Sequence, residues 1–238
     1  MLATKPDRLV LTPENLNSHF AEAYRALRAN ISFSSIDAAV RTILLTSAAP
    51  REGKTMTVLN LGIIMAQAGP RVLLVDADFR HPSLHRALGI SANGSGRLPG
   101  LSNLIVGSST LEEVIIPTGF ANVSLVPAGA LPPNPSELLA SQRMRSVIGE
   151  LTTKADFVLL DSPPCLLYAD AVVLSRVADG VLYVLRAGAQ DKPAQRRVQK
   201  QLQQAKARLL GVVFNDVEVE DTATTYAYYY PTGDKQRR

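Results

Sequence analysis

The sequence of 238 residues is poor in cysteine, has no tryptophan and has no long apolar run. Its single cysteine, Cys165, excludes an internal disulfide framework and fits a reducing compartment. Asp, Arg or Lys interrupts every apolar stretch before the roughly 18 residues that a membrane span requires. The N-terminus MLATKPDRLVLTPEN also lacks the apolar core of a signal peptide. These absences predict a cytoplasmic protein that reaches the inner face of the membrane only through a partner.

Histidine is also rare, and the net charge is small. His19, His81 and His85 form no metal-ligand pattern with Cys165, so a zinc site is not expected. The net charge of +4 is mild, and no nucleic-acid partner is expected. The basic segment 192–208 is interpreted as the solvated face of a helix.

The sequence does contain short apolar runs separated by helix-like segments. Several runs are apolar at consecutive positions, which is typical of strands covered on both faces. The alternation predicts an α/β fold, a doubly wound and mainly parallel sheet with helices on both faces. The runs lie at residues 42–45, 72–75, 123–126, 157–160, 181–185 and 209–214.

Turn and cap residues mark the segments between these strands. Asn134-Pro135 predicts the start of a single helix through SELLASQRMRSVIGELTTK. Thr110 with Glu113 is a capping-box pattern, and Asp191 with Pro193 opens another helix. Residues 91–109, rich in Gly and Ser, predict a surface loop. We therefore expect one domain over residues 1–215, with a helix at about 15–32, and a flexible tail over 216–238.

The segment AAPREGKT at residues 48–55 directly follows a predicted strand and opens a predicted helix. Backbone N–H groups of such a loop, with the helix N-terminus, cradle phosphates. Lys54 offers a charge to the β- and γ-phosphates, and the Thr55 hydroxyl is a magnesium ligand. Ala48 replaces the first glycine of the general pattern G-x-x-x-x-G-K-[ST]. The predicted nucleotide-binding residues here are Pro50, Arg51, Glu52, Gly53, Lys54, Thr55 and Met56.

Carboxylates follow two other predicted strands, in VLLVDAD and FVLLDSPP. In a doubly wound sheet, ligands bind outside the carboxyl ends of the strands. Asp76, Asp78 and Asp161 would then face the same crevice as Lys54, as a site for ATP and Mg²⁺ needs. The alternative is that these aspartates only cap the segments that follow them.

The segments AAPREGKT, LLVDADFR and FVLLDSPP resemble the Walker A, Walker A′ and Walker B motifs of bacterial tyrosine kinases. These are the capsule and exopolysaccharide kinases of the CpsD/CapB type, within the P-loop ATPases related to MinD and ParA. The resemblance extends over almost the whole chain. It implies a protein-tyrosine kinase that uses ATP and Mg²⁺ and phosphorylates itself, regulating polysaccharide synthesis and export.

The resemblance also implies residue roles. Lys54 and Thr55 would bind phosphate and magnesium, and Asp76 would be the base for the tyrosine hydroxyl. The metal would be held by Asp78 and Asp161, partly through water, and the adenine would be contacted by Asn215. The family usually has Gly where this chain has Arg51, whose side chain would either crowd the loop or reach a phosphate.

Two further segments bear on assembly. Glu22, Arg25 and Arg28 lie at a spacing of three, along one face of a predicted helix. Spacing alone favours a solvated face with an ion pair inside the helix. The resemblance implies instead a contact that joins subunits into a ring. It also implies a separate membrane-spanning activator of the polysaccharide copolymerase type, and it allows a tyrosine phosphatase as a further partner.

The tail concentrates four of the seven tyrosines within five residues: Tyr226, Tyr228, Tyr229 and Tyr230. Such a cluster can form an edge strand or an aromatic patch. Its polar surroundings and Pro231 favour an exposed substrate for neighbouring copies of the same kinase. Each phosphotyrosine would add a charge of roughly −1.5 to −2.

Two other functions remain open on the sequence. A partitioning or positioning ATPase of the ParA/MinD type would share the fold and the three motif positions, but its signature lysine would fall at Ala49. A nucleotide-binding scaffold without catalysis is the third reading, and Arg51 is its only indication. The tyrosine cluster and the Glu22, Arg25 and Arg28 motif favour the kinase.

Overall fold

The computed structural model describes residues 10–34, 39–91, 97–188 and 191–217. Within these ranges seven strands form one sheet in the order β3-β4-β2-β5-β1-β6-β7. Neighbouring strands are parallel except for β3 and β4, which are antiparallel. The strands are β1 (Thr42–Thr46), β2 (Val72–Asp76), β3 (Ile116–Pro117), β4 (Val123–Val126), β5 (Phe157–Asp161), β6 (Gly180–Arg186) and β7 (Leu209–Asn215).

Helices connect the strands and cover the sheet, and a short 3₁₀ helix at Pro13–Asn15 precedes the first of them. The α-helices are α1 (His19–Ser34), α2 (Lys54–Ala66), α3 (Leu84–Ala87), α4 (Leu101–Val106), α5 (Leu111–Val114), α6 (Pro135–Ala140), α7 (Gln142–Lys154), α8 (Asp170–Leu174) and α9 (Lys192–Gln204). None of these helices, in the part of the chain that is described, is long and apolar enough to cross a bilayer.

The apolar core has two parts, one on each face of the sheet. In β1, Leu44 packs with the cluster that contains α7 and α9 residues, whereas Ile43 and Leu45 pack with the cluster that contains α1 and α2 residues. Successive side chains of a strand point to opposite faces, so a strand buried on both sides must be apolar throughout. The predicted doubly wound, mainly parallel fold is confirmed, as are all six predicted strands.

Three local predictions need correction. The helix predicted after Asn134 is two helices, because Ser141 is extended (φ −65°, ψ 155°) and its hydroxyl caps α7 by accepting the N–H of Met144. The predicted loop 91–109 contains α4, whose Leu101, Leu104 and Ile105 are buried. Strand β3 was not predicted, because it has only two residues and includes a proline.

The other predicted helix starts are confirmed. Thr110 and Glu113 form the capping box of α5, in which the Thr110 N–H donates to Glu113 Oε2 at 2.9 Å. Asp191 caps α9 by accepting the N–H of Ala194 at 3.0 Å.

Helix α1 and the segment before it are fastened to α2 by a buried polar residue. Asn60 of α2 is fully buried, and its Oδ1 accepts the Leu11 N–H at 2.8 Å. Its Nδ2 donates to the Tyr24 hydroxyl at 3.4 Å. A second link comes from Arg28, which donates to the Ile64 carbonyl at 2.9 Å. The helix that begins at Lys54 thus also holds the N-terminal layer.

We expect Asn60→Ala to lower the free energy of unfolding by about 2–4 kcal/mol, because it leaves the buried Leu11 N–H without an acceptor. Urea denaturation measures this change. The matched control is Asn17→Ala, at an exposed position, which should cost no more than about 0.5 kcal/mol. Equal losses for the two variants would contradict the proposed tie.

Candidate active site

The phosphate loop runs from the end of β1 into α2 and is braced from within. The Glu52 carboxylate is buried, and its Oε2 accepts the Ala49 N–H at 2.9 Å. Gly53 has a left-handed φ of 95°, at the point where the chain turns into α2. The Thr57 N–H and hydroxyl both donate to the Gly53 carbonyl, at 2.9 Å each. The loop is therefore ordered by its own side chains.

Asn215 closes one side of this loop. It ends β7, and its Nδ2 donates to the Glu52 carbonyl at 3.1 Å. A Cβ at Gly53 would lie 1.9 Å from that Nδ2, so the glycine permits the contact. The structure thus brings Asn215, the residue predicted to contact the adenine, against the phosphate loop. Its strand β7 lies three positions from β5 in the sheet.

Arg51 is exposed and adopts φ 63°, a left-handed conformation that disfavours residues with a Cβ. Its side chain makes no hydrogen bond or ion pair with any described residue. A glycine would adopt this backbone without strain. Lys54, by contrast, is buried.

The three predicted carboxylates lie together at the ends of β2 and β5. Asp76 and Asp161 are register partners on these neighbouring strands. Asp76 Oδ2 accepts the N–H groups of Ser83 and Leu84, at 2.9 and 3.0 Å. Asp78 Oδ1 accepts two further N–H groups, those of Arg80 and His81, at 3.0 and 2.8 Å. Asp76 and Asp78 thus accept N–H groups of the segment that follows β2, as the capping interpretation expects.

Asp161 is different, because its surroundings point to a ligand. Its Oδ2 accepts the Thr55 hydroxyl at 2.6 Å, while its buried Oδ1 has no hydrogen-bond partner. Capping alone would not bury an unpartnered carboxylate oxygen, which carries a large free-energy penalty. The Thr55 hydroxyl also lies 3.1 Å from the Ser83 hydroxyl.

Burial and mutual repulsion disfavour the charged forms of these carboxylates. Burial raises the pKa of Asp161 to about 7, and although the Lys54 charge and the Thr55 hydrogen bond oppose this rise, the Asp78 charge adds to it. Burial, and then the charges of Asp161 and Asp78, also hold the pKa of Asp76 well above its usual range. The crevice has more negative groups than Lys54 can balance, so it favours an added cation.

The oxygen ligands fit Mg²⁺ held together with a nucleotide. Across the described ranges, no three His, Cys, Asp or Glu side chains are arranged to hold a metal ion by themselves. Magnesium does not need such a cage, because it keeps waters and phosphate oxygens and takes only one or two carboxylates. Asp161 with the Thr55 hydroxyl meets that requirement, and Asp78 lies close enough for its charge to act on Asp161.

A polar network not predicted from the sequence supports the segment after Asp78. Arg80 pairs with the buried Asp170 of α8, with Nε–Oδ2 3.0 Å and Nη2–Oδ1 3.2 Å. Its guanidinium also lies 4.5 Å from the ring centroid of Tyr168. The Ser136 hydroxyl donates to Asp170 as well. These residues are up to 90 positions apart, and no local pattern links them.

Three groups of predicted site residues remain. Arg25 pairs with Glu22 at 2.9 Å and donates to the Leu16 carbonyl at 2.6 Å. The ion pair inside the helix, expected from spacing alone, is therefore present. Met56 is half-buried in the first turn of α2. The four tail tyrosines lie outside the described residues.

Comparison with known proteins assigns the chain to a family. A family model described as an AAA domain matches residues 41–220. The tyrosine-protein kinase YwqD of Bacillus subtilis is 36% identical over 217 residues, covering 91% of this chain and 88% of the relative. The tyrosine-protein kinase CpsD of Streptococcus agalactiae is 30% identical over 217 residues and 91% of each chain. The chain belongs to the bacterial tyrosine kinases.

Solved structures agree with this assignment. The kinase domain of the Escherichia coli tyrosine kinase ETK matches with a TM-score of 0.80 and 30% identity, over 92% of this chain and 86% of that one. The septum site-determining protein MinD of Pyrococcus horikoshii, complexed with Mg-ADP, matches with a TM-score of 0.61 and 25% identity, over 79% of this chain and 76% of that one. The predicted resemblance and the enzyme class of this bacterial tyrosine kinase are confirmed, and MinD shares its fold.

The pKa of Asp161 predicts how stability depends on pH in the ligand-free protein. With a pKa of about 7 folded and about 3.9 unfolded, Asp161 releases a proton on unfolding between these values. Its contribution therefore makes the free energy of unfolding fall as pH rises from about 4 to about 7. We expect Asp161→Asn to raise the free energy of unfolding at pH 8 by about 2–4 kcal/mol.

Urea denaturation at pH 5 and pH 8 measures both the gain in free energy of unfolding and the loss of its dependence on pH. Asp216→Asn is the control, since Asp216 is exposed and outside the crevice, and the slope should be unchanged. An Asp161→Asn protein that is less stable than the parent at pH 8 would show that the buried charge is not a cost.

Proposed function

We propose that this chain is an ATP-dependent tyrosine autokinase that phosphorylates Tyr226, Tyr228, Tyr229 and Tyr230 of a neighbouring copy. The observation that carries the proposal is the unpartnered Asp161 oxygen beside Thr55 and Lys54, together with Asp76 on the adjacent strand. Membership of the bacterial tyrosine kinases supports the same chemistry. The tyrosine cluster supplies a substrate within the chain itself.

ATP with Mg²⁺ would supply the transferable phosphoryl group and the positive charge that the crevice lacks. The metal would be held by Thr55, Asp161 and Asp78, and the nucleotide by the loop from Pro50 to Met56 with Asn215. Lys54 would then stabilise negative charge on the phosphates. An added cation also offsets the repulsion among the carboxylates of the crevice.

Asp76 is proposed as the base that takes the proton from the tyrosine hydroxyl. Burial, and then the charge of Asp161, raise the pKa of Asp76, which makes its carboxylate a stronger base than an exposed one. Both of its oxygens accept backbone N–H groups, from Asp78 at 3.3 Å and from Ser83 and Leu84. These bonds fix the carboxylate in orientation before a substrate arrives.

We expect Lys54→Met and Asp76→Asn each to reduce autophosphorylation at least about 100-fold, because they remove a charge stabiliser and a positioned base. Phosphotyrosine formed with ATP and Mg²⁺ is the readout, and circular dichroism monitors folding. Lys200→Met and Asp156→Asn are the controls, at exposed positions. Folded and fully active Lys54 and Asp76 variants would reject the proposed roles.

The same assay separates the competing functions. ATP hydrolysis without phosphotyrosine would favour the partitioning or positioning ATPase, whose fold MinD shares. Nucleotide binding with neither product would favour the scaffold.

Titration of Arg51→Gly with a nucleotide analogue distinguishes crowding from phosphate contact. The variant binds more tightly in the first case and more weakly in the second.

The chain is proposed to act as a ring-like homo-oligomer at the inner face of the membrane, in the control of capsule or exopolysaccharide synthesis and export. Glu22, Arg25 and Arg28 would form the subunit contact, a membrane-spanning activator of the polysaccharide copolymerase type would recruit the ring, and a tyrosine phosphatase would reset it. Phosphorylated tails would be repelled by the carboxylates of the crevice and would loosen the ring.

Because Arg28 also holds α1 on α2, its removal would confound an assembly test. The exchange Glu22→Arg with Arg25→Glu retains an i,i+3 ion pair but inverts the charges offered to a neighbour. We expect this variant to be monomeric by solution mass measurement, with a free energy of unfolding within about 1 kcal/mol of the parent. The tail Tyr→Phe variant should stay assembled. A parent that is monomeric, both unmodified and phosphorylated, would refute the ring.

A further inference from the structure

A basic cavity opens beside the carboxylates and has no part in the functions described so far. Its volume is about 560 Å³, and it lies between the segment after β2 and the segment after β4. Among the residues that the structure describes, its charged and titratable lining consists of Arg80, His81, His85, Arg86 and Arg97, with no Asp or Glu. Apolar walls come from Ile90, Leu98 and Leu131. We call this cavity the basic pocket.

The described part of the chain balances the positive charge of the basic pocket only in part. Arg80 is neutralised by Asp170. By contrast, Arg86 and Arg97 form no ion pair with any residue that the structure describes. His85 experiences their field, since burial and then the charges of Arg86 and Arg97 lower its pKa. A concave site with two free guanidinium groups favours an anionic ligand.

The basic pocket and the candidate active site are linked through Asp78. The N–H groups of Arg80 and His81, two of its lining residues, bind Asp78 Oδ1. The chain itself contains an acidic segment, Glu218, Glu220 and Asp221, which ends five residues before Tyr226. Five extended residues span up to about 17 Å, so one peptide has the length to reach from the pocket to the crevice.

We propose that the basic pocket docks the acidic segment 218–221 of a second copy while a tyrosine of that same tail enters the crevice. The pocket would thus select substrates with carboxylates on the N-terminal side of the tyrosine. This inference rests on the proposed function, and it names the substrate class of that site.

The topology indicates why the docked segment comes from another copy. Asp216 binds Arg186 through two contacts of 2.9 and 2.6 Å, which fixes the start of the tail beside β6 and β7. The pocket lies beyond β2, four strand spacings away in the sheet order, or about 19 Å at 4.8 Å per strand. Residues 218–221 extend at most about 14 Å from Val217, which is too short.

A peptide of residues 216–234 tests the docking, with the full-length chain as the enzyme and its tail tyrosines changed to Phe. Against the double variant Arg86→Glu/Arg97→Glu, the peptide KM should rise roughly tenfold, because charge-assisted contacts become repulsive. The kcat should change less than about twofold, since neither residue touches the reacting groups. Arg145→Glu, an exposed residue of α7, is the matched charge control and should behave as the parent.

The decisive arm is compensation. A peptide with Glu218→Lys, Glu220→Lys and Asp221→Lys should bind poorly to the parent and regain affinity for the double variant. Fluorescence anisotropy of labelled peptides measures this without any catalysis, so charge-dependent binding by an inactive chain would uphold docking while rejecting the kinase. An unchanged KM in an active enzyme would overturn docking alone. Tighter binding of the phosphorylated than of the unphosphorylated peptide would also overturn it, by making the pocket a product site.

Discussion

The repulsion among buried carboxylates at the ends of β2 and β5 is the constraint on which the rest of the site depends. The sheet brings Asp76 and Asp161 side by side because their strands are parallel neighbours in register. The loop after β2 then turns its backbone N–H groups onto Asp76 and Asp78. Even so, one oxygen of Asp161 stays without a partner. In the folded chain, a bound cation would reduce the repulsion among these carboxylates. A ligand that supplies the cation would therefore also raise the free energy of unfolding.

Much of the fold was predictable because its signals are local. Strands buried on both faces must be apolar at consecutive positions, which makes them visible in the sequence. The site residues were predictable because ligands bind at the carboxyl ends of such strands, where the phosphate loop and the aspartates of β2 and β5 lie. Other features depend on partners distant in sequence. The pairing of Arg80 with Asp170 leaves no local pattern. Helix α4 does have the helical spacing of Leu101, Leu104 and Ile105, which the surrounding Gly and Ser residues obscure. Ser141 is a good cap residue, but Ser also occurs inside helices, so its extended conformation had to be seen in the structure.

The helix with Glu22, Arg25 and Arg28 has two interpretations, an ion pair within the subunit and a proposed contact between subunits, and the two are compatible. The ion pair between Glu22 and Arg25 is formed within the subunit, and Arg28 contacts α2. The Glu22 side chain nevertheless remains 44% exposed and that of Arg25 30% exposed. In the proposed ring, a pair ordered in this way would present fixed charges to the neighbour and would lose less side-chain entropy on contact than mobile residues.

Helix α2 joins two sites that the sequence separates. It begins with Lys54 and Thr55, and it carries Asn60 and Ile64, which hold the N-terminal layer. Its 13 residues extend about 20 Å as one rigid rod. One rigid helix thus contacts both the phosphate loop and the N-terminal layer. For the ring proposed above, thermodynamic linkage requires reciprocity: whatever free energy nucleotide binding contributes to assembly, assembly contributes equally to nucleotide affinity.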